Sequence, residues 1–485
     1  MKHSALFLLI SFISLSANAQ NLWNPAYKQA YNESLSLNFS KSDSILSAQK
    51  NKITPTEAYI RAQSHFTKIM LNDFEKDEIQ ADSLSYFLEK INLSPLKSVW
   101  LDFYRVEILM MKSLVNAKIG HNMNSVLNIY KAAKLTNSII EIHPDFSPIH
   151  TLNGLQLCTF SQIPDNYKSF AAFFGLEGNY KKGIKEIERS IRQNKDSSYD
   201  FMKDKEKFIY VFAIKEFGDV NSVRISDEIK NYHKNPILLY YESYLLYKDS
   251  KIEEARDLLI QNEILWKNKF NYLNYFTGKL LTFEIDNRAK KYLFEFIENA
   301  KTDDFKKSGY RYLSYLELIK GNTQKYRHYK YKTLDKKINS ISETDKSAEN
   351  EVLFLDNPTL VKAQLIYDGG NYNEAKKTLL SKNREHICKN SNDYIIYYYR
   401  LAGIYYKLND YNKAIENYKR CTAFQFNNKL HYQANAYLKL GELYLIKNNI
   451  KKSRVALEKC LELADFPYSY SIHSKAKKLL TETKN

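Results

Sequence analysis

The sequence predicts an all-α chain, an α-solenoid of stacked antiparallel helix hairpins. Three stretches near the C-terminal end, Leu360–Leu380, Tyr397–Cys421 and Tyr437–Cys460, each read as an apolar helix, a short polar turn and a second helix. Their small residues recur at a step of 39: Ala363, Ala402 and Gly441 on the first helix, Ala375, Ala414 and Ser453 on the second. Large residues keep the same step, as in Ile366, Tyr405 and Tyr444, or Leu379, Tyr418 and Leu457. With only 13 Gly and 9 Pro in 485 residues, the chain lacks the turn residues of an all-β fold.

The pattern has a physical cause. Antiparallel helices in a hairpin approach to about 8–10 Å, which small residues at the crossing allow. Large residues three and four positions away fill the groove beside it. One hairpin cannot bury its apolar stripe alone, so copies stack and share a core.

These residues resemble the tetratricopeptide repeat family. The best copy supplies Tyr398, Leu401, Ala402 and Tyr405, then Ala414, Tyr418 and Cys421; the next supplies Tyr437, Leu440, Gly441 and Tyr444, then Ser453, Leu457 and Cys460. The preceding copy departs from the motif at Lys362 and Lys382, and the proline that usually closes a repeat is replaced by Phe426. The step of 39 exceeds the family's usual spacing of about 34. The resemblance covers residues 356–465 and implies a right-handed α-solenoid that binds a protein or peptide in its concave groove.

Residues 1–19 read as a signal peptide: Lys2 and His3, an apolar run from Ala5 to Leu15, and a small-x-small site at Ala17-Asn18-Ala19. The run is too short to span a bilayer, and no other stretch has spanning length. The expectation is an exported protein without a transmembrane segment, periplasmic or associated with the outer membrane of a two-membrane bacterium. Residues 20–142 read as degenerate helical repeats, with helices at Pro25–Ser36, Pro55–Leu71, Ala81–Ile91, Pro95–Ile119 and Met123–Ile142. His143–Pro148 and Ile163–Asp165 are breaks. Residues 143–338 continue as degenerate repeats, with hairpins at Phe170–Ile187, where Gly183 is the small residue, and at Leu239–Leu259. Residues 339–355 are polar and read as a loop. Residues 466–485 read as a capping helix with Lys475, Lys477 and Lys478 on its solvated face.

No phosphate-binding glycine loop, His-Glu-x-x-His or Cys-x-x-Cys is present. No cofactor, metal site or catalytic set is predicted. His143, His150 and Cys158 lie in the least repeat-like stretch, 143–200, where an enzymatic site would have to be built. Cys421 and Cys460 hold equivalent places in adjacent hairpins, about 8–10 Å apart. That is too far for a disulfide, so they read as buried small hydrophobes. The 72 Lys and Arg exceed the 55 Asp and Glu by 17 but are spread along the chain. Most read as solvated helix faces; export makes nucleic acid a poor partner, and a membrane surface or an anionic glycan is the remaining use of the charge.

The resemblance places the groove on the first helix of each hairpin. Its positions are Leu360, Gln364 and Tyr367; Ile396, Tyr399, Gly403 and Tyr406; and Asn435, Leu438, Glu442 and Leu445. Tyr399, Tyr406 and Leu438 are the expected anchors, with Gln364, Asn435 and Glu442 giving polar selectivity. The leading expectation is a non-catalytic protein-binding scaffold. The rivals are an accessory subunit of an outer-membrane assembly or nutrient-uptake complex, docking through the N-terminal half, and an enzyme with a site in 143–200.

Overall fold

The computed structural model describes residues 22–49, 53–71, 83–163, 168–169, 171–172, 174–218 and 235–483. The expected signal peptide and the break at Pro164-Asp165 lie outside them. The fold is all-α: the described residues hold twenty-five α-helices and no strand. By contacts the chain divides into two compact units, one of residues 1–249 and 257–270, the other of 250–256 and 271–485. The division falls inside the stretch 143–338, which the sequence suggested was one block.

Unit 1 begins with α1 (Pro25–Leu35), α2 (Phe39–Ser47), α3 (Pro55–Met70), α4 (Ser83–Asn92), α5 (Val99–Lys118) and α6 (Asn122–Ile142). Prolines at the first helical position of α1 and α3 follow the capping residues Asn24 and Thr54, whose side chains accept from Tyr27 and Glu57 N–H. Consecutive helices pair as hairpins. The core is aromatic: Tyr59 stacks on Tyr104 with centroids 4.3 Å apart, and Trp23 meets Trp100 edge-on at 5.6 Å.

The next pair is α7 (Pro148–Phe160) and α8 (Tyr180–Asn194). Gly183 was expected to pair with a helix beginning at Phe170; its partner is α7. A Cβ on Gly183 would lie 2.5 Å from the Gly154 carbonyl oxygen, and one on Gly154 would lie 2.5 Å from that of Gly183. The two glycines let the backbones touch. Asn153-Gly154 and Cys158 therefore belong to a helix crossing, in the region that looked least like a repeat. Unit 1 continues with α9 (Lys203–Phe217) and α10 (Pro236–Lys248). On α9, buried Lys205 pairs with buried Glu107 of α5 and donates to Tyr59 Oη at 3.2 Å and Gln63 Oε1 at 3.0 Å on α3. Two short helices follow, α11 (Ile252–Gln261) and α12 (Glu263–Trp266).

Unit 2 stacks five hairpins: α13 (Tyr272–Phe283) with α14 (Ala289–Asn299), α15 (Lys306–Ile319) with α16 (Thr323–Thr333), then, after α17 (Glu343–Phe354), α18 (Pro358–Asp368) with α19 (Tyr372–Leu380). The short α20 (Arg384–Ile387) precedes α21 (Ser391–Lys407) with α22 (Tyr411–Thr422) and α23 (Tyr432–Ile446) with α24 (Ile450–Glu462). The cap is α25 (Ser469–Glu482), which packs on α23 and α24. Lys475, Lys477 and Lys478 are exposed, as expected.

The small positions are where the sequence put them. Ala363, Ala375, Ala402, Ala414 and Ser453 are fully buried, and a Cβ on Gly441 would lie 2.5 Å from Leu457 Cδ2. One turn serves four hairpins. A left-handed residue closes the first helix, at Gly321, Gly370, Asn409 and Asn448. The next residue, Asn322, Asn371, Asp410 or Asn449, caps the second helix by accepting an N–H three positions on.

Two expectations are corrected here. Residues 339–355 are not a loop: Ser342 caps α17 through the Thr344 N–H, and Asp345, Ser347, Ala348, Glu351 and Val352 are buried. The polar composition misled because its carboxylates are paired inside the fold rather than solvated. The chain also has helices that the sequence reading did not mark, among them α2, α9 and α16.

Candidate interaction surface

The first helices α15, α18, α21 and α23 contact one another within unit 2, and the groove positions lie on three of them. The structure splits these positions into two sets. Leu360 and Ile396 are fully buried, and Gln364 and Leu438 nearly so. They cannot anchor a partner from solvent, because adjacent first helices lie side by side and their apolar residues fill the seam. Leu438 joins the terminal core with Leu457, Cys460 and Phe466.

Tyr367, Tyr399, Tyr406, Asn435, Glu442 and Leu445 are only partly buried. Tyr399 and Asn435 meet: Asn435 Nδ2 donates to Tyr399 Oη at 2.6 Å. The Tyr399 ring also lies 4.9 Å from Tyr432 and 6.0 Å from Tyr418, so it holds the surface together as well as lining it. Gly403 makes room for Tyr367, since a Cβ there would lie 3.1 Å from the Tyr367 hydroxyl. Lys439 sits 5.4 Å from the Tyr406 ring centroid and pairs with Glu442 at 2.6 Å. Burial raises the hydroxyl pKa of both Tyr399 and Tyr406, so both remain neutral donors.

Sequence reasoning missed the charged centre. Arg400 is buried among Tyr367, Tyr399 and Tyr432, its guanidinium 5.5–5.8 Å from the three rings, and it faces Asp368 at 3.5 Å. Arg311 on α15 pairs with Glu351 on α17 and stacks 4.6 Å from Tyr312. Burial alone would raise the Glu351 pKa, but Arg311 and Arg400 outweigh it and hold the carboxylate charged. His431, just ahead of α23, is pushed down to about 4 by burial, against the pull of Glu351. Arg311 Nε, Arg400 Nε and the Tyr432 hydroxyl are buried without a protein partner. The signal available in sequence was Arg400 itself, a lone cation inside the aromatic run Tyr397–Tyr406. Glu351 gave none.

Elsewhere the chemistry is closed. His150 Nδ1 meets Glu186 at 2.9 Å while His143 is exposed, so the two histidines share no site. All four cysteines are buried and free, Cys421 and Cys460 included. Among the described residues no group of three His, Cys, Asp or Glu side chains stands ready to hold a metal, and no helix is long and apolar enough to cross a membrane.

The tetratricopeptide repeat model matches residues 395–428 and 434–466, which are α21–α22 and α23–α24. These two hairpins match the tetratricopeptide repeat. The two matched copies start 39 residues apart, the step read from the small residues. Solved structures similar to the chain include the tetratricopeptide domain of P58(IPK), at 14% identity over 88% of this chain and 99% of that one, TM-score 0.23. Another is the APC/C hetero-tetramer Cut9-Hcn1, at 12% identity over 98% and 99%, TM-score 0.26. No curated protein matches the chain.

Proposed function

We propose that the chain is a non-catalytic protein-interaction scaffold whose tetratricopeptide face in unit 2 holds a protein or peptide segment. The observation that supports it is the row of half-buried amphipathic groups along α21 and α23: Tyr399, Tyr406, Asn435, Lys439 and Glu442. These offer aromatic area at low entropic cost beside donors and acceptors. Tyr406→Ala with Lys439→Glu tests it. Both residues are partly exposed, so the fold should survive while affinity for a partner captured by crosslinking in cells drops at least tenfold. Unchanged affinity in a folded variant refutes the assignment.

The setting we propose is the cell envelope, on the strength of the basic and apolar start of the chain and its small-x-small site. Cell fractionation and the N-terminal residue of the mature protein test this. Recovery in the cytosol with Met1 in place would contradict it.

A second reading, an accessory subunit of an outer-membrane assembly or uptake complex docked through unit 1, has one observation in its favour. Met123, Val126 and Leu127 stand exposed on α6, and Phe174, also exposed, meets Tyr130 of the same helix edge-on. Val126→Asp with Leu127→Asp should release the protein from membranes if this ridge docks it. Unaltered co-purification would remove the ridge from consideration.

A further inference from the structure

The left-handed residues that close the first helix in the five hairpins of unit 2, at 285, 321, 370, 409 and 448, are separated by 36, 49, 39 and 39 residues. The long interval is the one that contains α17. This helix is an insertion into the array, with no hairpin partner of its own.

Its composition and contacts set it apart. Of its twelve residues only Ala348 and Val352 are buried apolar side chains, and Leu353 is exposed. What holds it is charge. Asp345 accepts from the Ser308 N–H at 2.7 Å, Glu349 pairs with Lys307, and Glu351 pairs with Arg311. All three partners lie in the first two turns of α15, where the helix N-terminus adds its own positive potential. Glu351 also feels Arg400 of α21 and His431 beside α23. Helix α17 thus packs on the hairpin α15–α16, with Glu351 in electrostatic reach of Arg400 on α21.

We propose that α17 is a built-in occupant of the inner face of unit 2, and that the partner taken there is an acidic helical segment that replaces it, carboxylate for carboxylate. The face offers a helix N-terminus, Lys307, Arg311 and Arg400. A segment with acidic groups spaced as Asp345, Glu349 and Glu351 satisfies the same donors. Binding then requires α17 to leave, so the array is closed at rest and opened by competition. This rests on the scaffold reading above and adds to it the partner's chemistry and a gate.

The probe is a fluorescent peptide with the sequence of residues 342–355, beside a control peptide carrying the three acids as amides. Both are titrated against the full chain and against Asp345→Asn with Glu349→Gln and Glu351→Gln. The expected result is at least tenfold tighter binding of the acidic peptide to the variant than to the wild type. The control peptide should show no gain, and hydrogen exchange should accelerate over 343–354 with 391–446 still protected. Fast exchange at α17 without a gain in peptide binding overturns the proposal, as does exchange there that stays as slow as in α18. If the triple variant loses protection over 391–446, Glu349→Gln with Glu351→Gln, which keeps the Asp345 contact, is read by the same measurements. Negative results with a captured partner that still depends on Tyr406 and Lys439 sink this inference alone and leave the scaffold reading standing.

Discussion

Ser453 Oγ donates to the carbonyl oxygen of Gly441 at 2.9 Å, across the crossing of the two helices in the last hairpin. The serine fills an alanine position of the repeat, and its hydroxyl reaches the backbone of the facing helix. Ser453→Ala should cost about 1 kcal/mol, the net worth of one buried hydrogen bond. Ser453→Leu and the equivalent Ala414→Leu should cost about 1–3 kcal/mol by overpacking. Urea denaturation followed by circular dichroism measures both. A Leu variant as stable as the wild type would mean that the crossing is not tight.

The turns give a second expectation. Asn409 has φ 61°, a left-handed conformation that costs a side-chain-bearing residue more than glycine. Asn409→Gly should be neutral or stabilising by up to about 1 kcal/mol, whereas Asn409→Val should destabilise by about 1–2 kcal/mol. In thermal melts Asn409→Gly should match or exceed the wild type and Asn409→Val should fall below it.

In unit 1 the buried pair of Lys205 and Glu107 is the sensitive point. Burial pulls the lysine pKa well down, yet its ammonium lies against Glu107 and the Tyr59 and Gln63 oxygens. Lys205→Met leaves Glu107 without a counter-charge and should cost about 3–5 kcal/mol. Lys205→Met with Glu107→Leu should recover most of that loss. A double variant no better than the single one would show that the pair is not the source of the damage.

Acid should loosen unit 2 through His431. Its folded pKa is depressed from 6.5 to about 4, so the unfolded chain takes up the proton first as the pH falls. The stability this neutral imidazole supplies is complete above pH 6.5 and is lost progressively towards pH 4, a loss of at most about 3 kcal/mol. Glu351, whose pKa is lowered, adds to acid sensitivity below its usual carboxylate range, while burial raises Asp368 and works the other way. His431→Gln should flatten the dependence between pH 6.5 and 4. An unchanged slope would place its origin in other groups.

The hairpins that read well from sequence did so for a local reason. Alanine, glycine and serine at the crossings, and an Asn or Asp cap directly after a left-handed residue, act within one hairpin, and a linear string records them. What the string hid was long-range. Gly154 and Gly183 face each other across 29 positions, so neither alone announces a crossing. Helix α17 was hidden by its own polarity, because its carboxylates are matched by Lys307 and Arg311 about 40 positions away. The groove was half legible. The resemblance put Tyr399 and Tyr406 on a first helix, where both are partly exposed, but it cannot tell a residue facing the opening from one in the seam with the next hairpin. Hence Leu360, Ile396 and Leu438 were misplaced.

The central claim is that the inner face of unit 2 is where a partner binds. The most direct test is a photo-crosslinking residue at position 406, on that face, beside the same residue at Lys419, exposed on α22. The account predicts a discrete protein adduct from 406 in intact cells and none from 419. Adducts from 419 with nothing from 406 would contradict it.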